Sequence, residues 1–487
     1  MQARGVALTA LALALAPAAR AAVVRVGVMA NGELLIGTLL ALRHVREWNG
    51  TIVPALGALA DCPLELQARA VVGTSARVAS EALLAYIAGV NTFGWQVVVG
   101  PETSGAAAPI ALLAGYLDTA QVGFATTSPA LDNVATYKHF SRVVPSDEAV
   151  AASVGAYVRA CGWRRMGIVH VADLFGIGYA QTLGRWCAEH GIELVAASFE
   201  LADPTTINVA LRALGDVRII AAVGQQDDWR LLVDAARQLG MIGGGYHWVL
   251  GGTFIGSPAL PDELARLLHG SALVRVAGGR NGQRAWEALK AAWASVGDDE
   301  VNALLGDAGW AARSGSGEMI SQALAMRAPE DDWVAFAYDA TVAVALAACA
   351  PGLGEARGTF PGGAALTAGI GRLGFAGASG DVYFDAQGSR AFNAVAVVLE
   401  NLRWAPSPDG GGGGALERVR EMGEHTPGSG WALSPSFVYA DGTSTRPSDG
   451  KPPSASPRAA RGAGGARAAG GAAPVSYTHL TLPTKRI

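Results

Sequence analysis

The chain has 487 residues, 51% hydrophobic and 16% charged, with a net charge of −4 and a pI near 6.1. That is enough apolar material for a large core, over a length that suits two or three domains. No Lys/Arg-rich run or stripe is present, which excludes an electrostatic nucleic-acid binder, and the 64 glycines make a Gly-rich stretch alone poor grounds for phosphate binding.

The N-terminus predicts export. Arg4 supplies a positive start, 6–16 is apolar, and Ala19-Arg20-Ala21 places small residues where a signal peptidase reads them. Residues 1–21 are therefore expected to be a cleaved signal peptide, too short for a membrane span. Asn49-Gly50-Thr51 is a glycosylation sequon if the host is eukaryotic. No later segment reads as a transmembrane helix. The best candidate, 334–350, carries Asp339 and Thr341 and suits a buried core helix.

From residue 23 onward, strand and helix alternate. Apolar, β-branched runs at 23–29, 96–99, 166–171, 219–223 and 248–250 are each followed by helical periodicity. Unbroken apolar strands between helices predict parallel sheets covered on both faces, with ligands bound beyond the strands' carboxyl ends. Two loops at such positions carry hydroxyls. Gly100-Pro-Glu-Thr-Ser-Gly105 opens a helix, so its N–H groups with Thr103 and Ser104 suit a carboxylate. An ordinary N-cap explains the same residues equally well. After the next strand, Thr126, Thr127 and Ser128 add three more hydroxyls, which favours a shared polar pocket.

Catalytic signatures are scarce: there is no GxSxG, HExxH or GxxxxGK[ST]. Gly369-Ile-Gly-Arg-Leu-Gly374 matches GxGxxG, but a helix precedes it and a strand follows, the reverse of a dinucleotide site. The eight histidines form no paired motif, and no Cys/His spacing suits zinc, so no metal, cofactor or catalytic residue is expected. Of the four cysteines, Cys161 and Cys187 end two predicted helices flanking one strand and are a candidate disulfide, free buried thiols being the alternative.

Towards the C-terminus, the glycine run 410–414 reads as a linker. Residues 405–474, rich in Gly, Pro and Ala, are expected to be largely disordered. Residues 475–484 resemble a translated sequencing adapter, so 475–487 is set aside and the natural chain is expected to continue differently.

The stretches VVVGPETSG, VGFATTSPALDNVATYKHFSRVVPSD, GWRRMGIVHVADLFGIGYA, WVAFAYDA and GFAGASGDVYFDAQGSR resemble, in order, the receptor ligand-binding region family. This family has the type I periplasmic-binding-protein fold, shared by leucine-binding proteins, natriuretic peptide receptors and the ectodomains of metabotropic glutamate and GABA-B receptors. The resemblance covers about 23–404 and implies an α/β, two-lobed fold, each lobe a parallel sheet with helices on both faces. It implies three inter-lobe crossings, near Pro145 and Ser146, near 274–280 and near 382–385. Lobe one would hold 23–145 and 281–382, and lobe two 146–280 and 383–404.

Carried over residue by residue, the resemblance assigns a ligand carboxylate to Ser104 and Thr127, beside Gly105, Thr126 and Ser128, and ligand packing to Phe175. The family's amine-pairing aspartate falls on Gly252, with Asp227 and Asp228 as neighbouring alternatives. A ligand with a carboxylate and no obligatory α-amine is therefore expected. The implied function is extracellular small-molecule sensing by a membrane receptor, dimeric through lobe one and anchored by a segment missing from this sequence. A periplasmic solute-binding protein and, further off, a secreted α/β enzyme are the alternatives.

Overall fold

Apolar runs buried on both faces become the inner strands of two sheets in the computed structural model, which describes residues 22–73, 78–225, 228–251, 260–278, 283–305, 316–326, 328–329, 332–353, 359–407, 414–426 and 430–450. The expected signal peptide, Gly252, Asp227, most of the 410–414 glycine run and everything beyond 450 lie outside those residues.

The first lobe is built on β1 (Ala22–Met29), β2 (Leu64–Val71), β3 (Val97–Val99), β4 (Ala120–Gly123) and β5 (Phe140–Arg142). They pair in parallel in the order β2-β1-β3-β4-β5. Helices α1 (Gly32–Glu47), α2 (Pro54–Gly57), α3 (Ala79–Ala88) and α4 (Ser104–Leu117) connect them. Successive side chains leave a strand on opposite faces. Val97 and Val99 thus join the core that holds Leu35 and Ile36 of α1, while Val98 packs with Tyr86 of α3 and Ile110 of α4.

The second lobe runs α5 (Asp147–Ala160), β6 (Arg165–Val171), α6 (Leu174–Glu189), β7 (Glu193–Phe199), α7 (Pro204–Ala213), β8 (Ile219–Val223), α8 (Asp228–Gln238), β9 (His247–Leu250), α9 (Asp262–Ala265) and β10 (Ala272–Val276). Its strands pair in parallel in the order β10-β9-β8-β6-β7. Helices α10 (Gln283–Trp293), α11 (Asp298–Leu305), α12 (Ser316–Ala325), α13 (Trp333–Ala348) and α14 (Gly363–Ile370) return to the first lobe. There α13 packs on α1 and over β3 and β4. It is buried from Val334 to Ala348, as a core helix should be, and among the described residues no helix is long and apolar enough to cross a membrane. The hairpin β11 (Gly374–Gly377) and β12 (Gly380–Tyr383) follows, and the GxGxxG stretch is the end of α14 running into β11.

The chain then crosses back to β13 (Val397–Pro406), β14 (Gly414–Thr426) and β15 (Gly430–Leu433), antiparallel additions on the β10 side. This corrects the expectation of disorder from 405. Within 405–450, Trp431 Nε1 donates to the Ser153 carbonyl at 2.7 Å, Trp163 Nε1 to the Pro447 carbonyl at 2.8 Å, and the Arg164 N–H to Asp449 at 2.7 Å. Phe437 and Tyr439 are buried against His247. A few aromatic anchors and backbone pairing outweigh a composition that resembles a linker, and the segment forms a strap over lobe two.

The cysteine expectation is also corrected. Cys161 and Cys187 are free and buried, and the disulfide joins Cys62 to Cys349. The two free thiols face different neighbours. Cys187 Sγ lies 3.9 Å from Met166 Sδ, whereas Cys161 sits beside Tyr157 and Tyr439. Burial pushes the Cys187 thiol up to about 12, so it is an inert packing group.

Buried arginines stand where the chain passes between lobes. Arg275, at the end of β10, pairs with Asp332 of lobe one and Glu400 of β13, both at 2.6 Å. Arg390 donates to Ser379 Oγ at 2.5 Å and to the Val143 carbonyl at 3.3 Å. Ser379 Oγ in turn donates to Asp339 at 2.5 Å. Breaking such a buried pair strands a charge.

Candidate ligand-binding site

The carboxyl ends of β1, β3 and β4 form the lobe-one wall of the cleft. Gly100 follows β3 at φ 102°, and a side chain there would collide with the Met29 carbonyl, so the turn demands glycine. Glu102 accepts from the Asn31 N–H at 2.5 Å, and Asn31 is bonded in turn to Gly73, lacing the loops after β1, β2 and β3 together. Thr103 caps α4, accepting from the Ala106 N–H at 3.3 Å. The capping role open to either residue thus belongs to Thr103. Ser104 instead turns to the neighbouring loop, where its Oγ accepts from the Ser128 N–H at 3.1 Å. A Cβ on Gly105 would meet nothing within 4 Å.

The three hydroxyls of the second loop diverge. Thr126 Oγ1 lies over Gly123, where an added methyl would collide with it, and so faces the lobe interior. The Thr127 hydroxyl lies against Asp147, and its carbonyl accepts from the Asp147 N–H at 2.8 Å. Ser128 Oγ accepts from the Ala130 N–H at 3.3 Å and donates across the cleft to the Leu174 carbonyl at 2.8 Å. The structure therefore brings Ser104, Thr127 and Ser128 together and turns Thr126 away.

Lobe two contributes the start of α6. Asp173 caps it, accepting from the Gly176 N–H at 2.8 Å and from Gln225 Nε2 at 2.8 Å. Phe175 is buried and packs edge-on to Tyr179, with ring centroids 6.3 Å apart. Gly178 faces Pro129 and Ser128, and a Cβ there would stand 3.0 and 3.1 Å from them. Asp228 takes no part: its two oxygens accept from the N–H groups of Ala202 and Gln225, at 2.8 and 2.7 Å. Asn49 lies in the turn after α1, where its Oδ1 accepts from the Thr51 N–H at 3.0 Å.

The residue that sequence reasoning missed is Asp147. It is the first residue of α5, just past the first crossing, and 4% exposed. Its Oδ2 is buried with no hydrogen-bond partner, an unmet acceptor beside the hydroxyl loops. Thr127, Arg142, Asp173 and Tyr179 surround it. Burial raises its pKa to about 7, against the pull of Thr127 and Arg142. The signal was present in the sequence, since the quoted VVPSD stretch ends on this acid. The cleft thus offers hydroxyl donors and a helix N-terminus on one side and an under-partnered carboxyl on the other.

The model for the receptor family ligand binding region matches residues 64–399, more than half the chain and every described part of this cleft beyond β1 and α1. Among curated relatives, metabotropic glutamate receptor-like protein E of Dictyostelium discoideum is 28% identical over 95 residues, 20% of this chain and 12% of that protein. Metabotropic glutamate receptor 6 of Rattus norvegicus is 28% identical over 178 residues, 35% of this chain and 20% of the receptor. Glutamate receptor 3.1 of Oryza sativa subsp. japonica is 26% identical over 160 residues, 31% of this chain and 16% of that protein. The chain spans no more than 20% of the length of these relatives.

Proposed function

The chain belongs to the receptor family ligand binding region, and from that premise we propose that it is the extracellular sensing module of a membrane receptor for an amino-acid-like ligand. Ser104, Thr127 and the N-terminus of α4 take the ligand's carboxylate. Asp147 takes its ammonium group, and Phe175 with Tyr179 packs on the rest. The lobes close on the ligand because it bonds to both.

The observation that carries this reading is the buried, unpartnered oxygen of Asp147 beside Thr127. It replaces the expectation of an amine-free ligand, which rested on Gly252. The test is a thermal-shift screen of the twenty L-α-amino acids beside their deaminated and amidated analogues. A selective response to one or a few amino acids is expected, weakened tenfold or more in Asp147→Asn, since losing a charged hydrogen bond costs roughly 1.5–3 kcal/mol. A response to deaminated acids that Asp147→Asn leaves intact would restore the organic-acid reading.

The partner we propose is a second copy, docked through lobe one. Helices α3 and α4 pack side by side and expose Leu84 (67%), Leu112 (45%) and Tyr116 (79%). Exposed large apolar side chains on neighbouring helices suit a two-fold dimer, in which each copy covers the other's. Sedimentation should show a dimer that Leu84→Glu with Tyr116→Glu converts to a monomer, whereas an unchanged sedimentation coefficient would remove this surface from consideration.

A further inference from the structure

We propose that Arg142 is the positioning residue of the carboxylate site, an inference that rests on the assignment of Thr127 to that site. Arg142 is fully buried at the end of β5, behind the 126–128 loop. Its Nη1 donates to the carbonyls of Thr126 and Ser128 at 2.8 and 2.9 Å. The carbonyl between them, that of Thr127, accepts from the Asp147 N–H at 2.8 Å. All three acceptors of the loop backbone are thereby consumed. In a planar trans peptide the N–H points opposite to the preceding carbonyl. Holding the Thr126 carbonyl inward therefore turns the Thr127 N–H outward. Of its backbone, the loop then presents a donor to the cleft, that N–H, beside the Ser104 hydroxyl docked on the Ser128 N–H. A loop backbone with an N–H facing the cleft and its carbonyls engaged elsewhere favours a carboxylate over a carboxamide, whose NH2 finds no backbone acceptor there.

The rest of the guanidinium fixes the loop to the hinge. Nε donates to Ser389 Oγ at 2.7 Å, and Nη2 pairs with Asp132. Asp132 also accepts from Ser389 Oγ at 2.9 Å and from Ser146 Oγ at 2.6 Å. Ser146 lies on the first crossing and Ser389 on the third. A lysine carries the same charge but cannot span four acceptors in one plane.

The experiment uses the full chain and the variants Arg142→Lys and Ser389→Ala. In ligand-free protein, hydrogen–deuterium exchange at the Ser128 amide should rise tenfold or more in Arg142→Lys and less in Ser389→Ala, with the strands of the first sheet still protected. With the twenty L-α-amino acids and their α-carboxamides as probes, the acid-over-amide preference of the wild type should fall at least tenfold in Arg142→Lys. Wild-type exchange in both variants, or a lower melting temperature with the preference intact, would overturn the proposal. If Arg142→Lys does not fold, Ser389→Ala decides alone, unchanged exchange counting against. If the wild type answers to no probe, the amino-acid reading falls, and the exchange measurement still decides whether Arg142 holds the loop.

Discussion

Asp147 is the residue on which pH should act most directly. Burial holds its pKa at about 7, so between pH 4 and 7 the folded protein keeps a proton that the unfolded chain, titrating near 3.8, has released. Stability from this group is therefore full below pH 4 and is lost as pH rises to 7, a penalty of roughly 4 kcal/mol. Asp147→Asn should come closest to the wild type below pH 4, draw ahead as pH rises and melt higher at pH 8; a wild type that melts higher at pH 8 would contradict the burial argument. Ser104 and Thr103 divide two roles that their sequence left open. Ser104→Ala should weaken ligand binding tenfold or more, while Thr103→Ala should cost about 1 kcal/mol of stability and leave affinity nearly unchanged. Calorimetric titration of both against the best amino acid decides between cap and contact. The hydroxyls of Ser104 and Thr127 were legible because loops after parallel strands face the cleft. The inward turn of Thr126 was not, since adjacent loop residues can point either way. Asp147 escaped notice because an acid in a first helical turn is ordinarily explained by the helix dipole. Only its three-dimensional neighbours show that one oxygen lacks a partner.

At the level of elements, the parallel strands were readable because burial on both faces leaves unbroken apolar runs, as in Val97, Val98 and Val99. Strand β14 was not. Its sequence, GALERVREMGEHT, intersperses charged with apolar residues and follows a glycine run, so composition suggested a linker. What holds it is pairing with β13, invisible to local pattern, and anchors placed residues away. Trp431 is the clearest of these, bonded to the Ser153 carbonyl and packed against Tyr157 at 6.0 Å. Trp431→Ala should therefore cost about 2–4 kcal/mol in urea unfolding and open the 414–450 strap to protease. No change in either would mean that the strap contributes nothing to lobe two. The disulfide failed to be read for a related reason: helix ends that flank one strand need not point their thiols at each other.

For the whole molecule, the consequential contact is where α6 meets the 3-10 turn Pro129–Asp132 across the cleft. Gly178 permits that approach. Gly178→Leu should act as a wedge, breaking the bond from Ser128 to the Leu174 carbonyl. Small-angle scattering should then give a larger radius of gyration, and ligand affinity should fall, with each lobe still folded. An unchanged radius would show that this contact does not limit closure. The two-lobed layout was legible from the alternation of strands and helices together with the family's motifs, but the crossings could be placed only to within a few residues, because no local pattern marks where a chain leaves one core for another. The Cys62–Cys349 bond has a consequence for how the protein is made. Its partners are 287 residues apart, and lobe two from α5 to β10 is synthesised between them. At ribosomal speeds of about 5–20 residues per second, Cys62 waits roughly 15–60 s as a free thiol, while Cys161 and Cys187 emerge before its true partner. Cys187 can pack against Met166 within that interval, but Tyr439, which sits on Cys161, is made only after Cys349, so in an oxidising compartment Cys161 is the thiol that competes for Cys62.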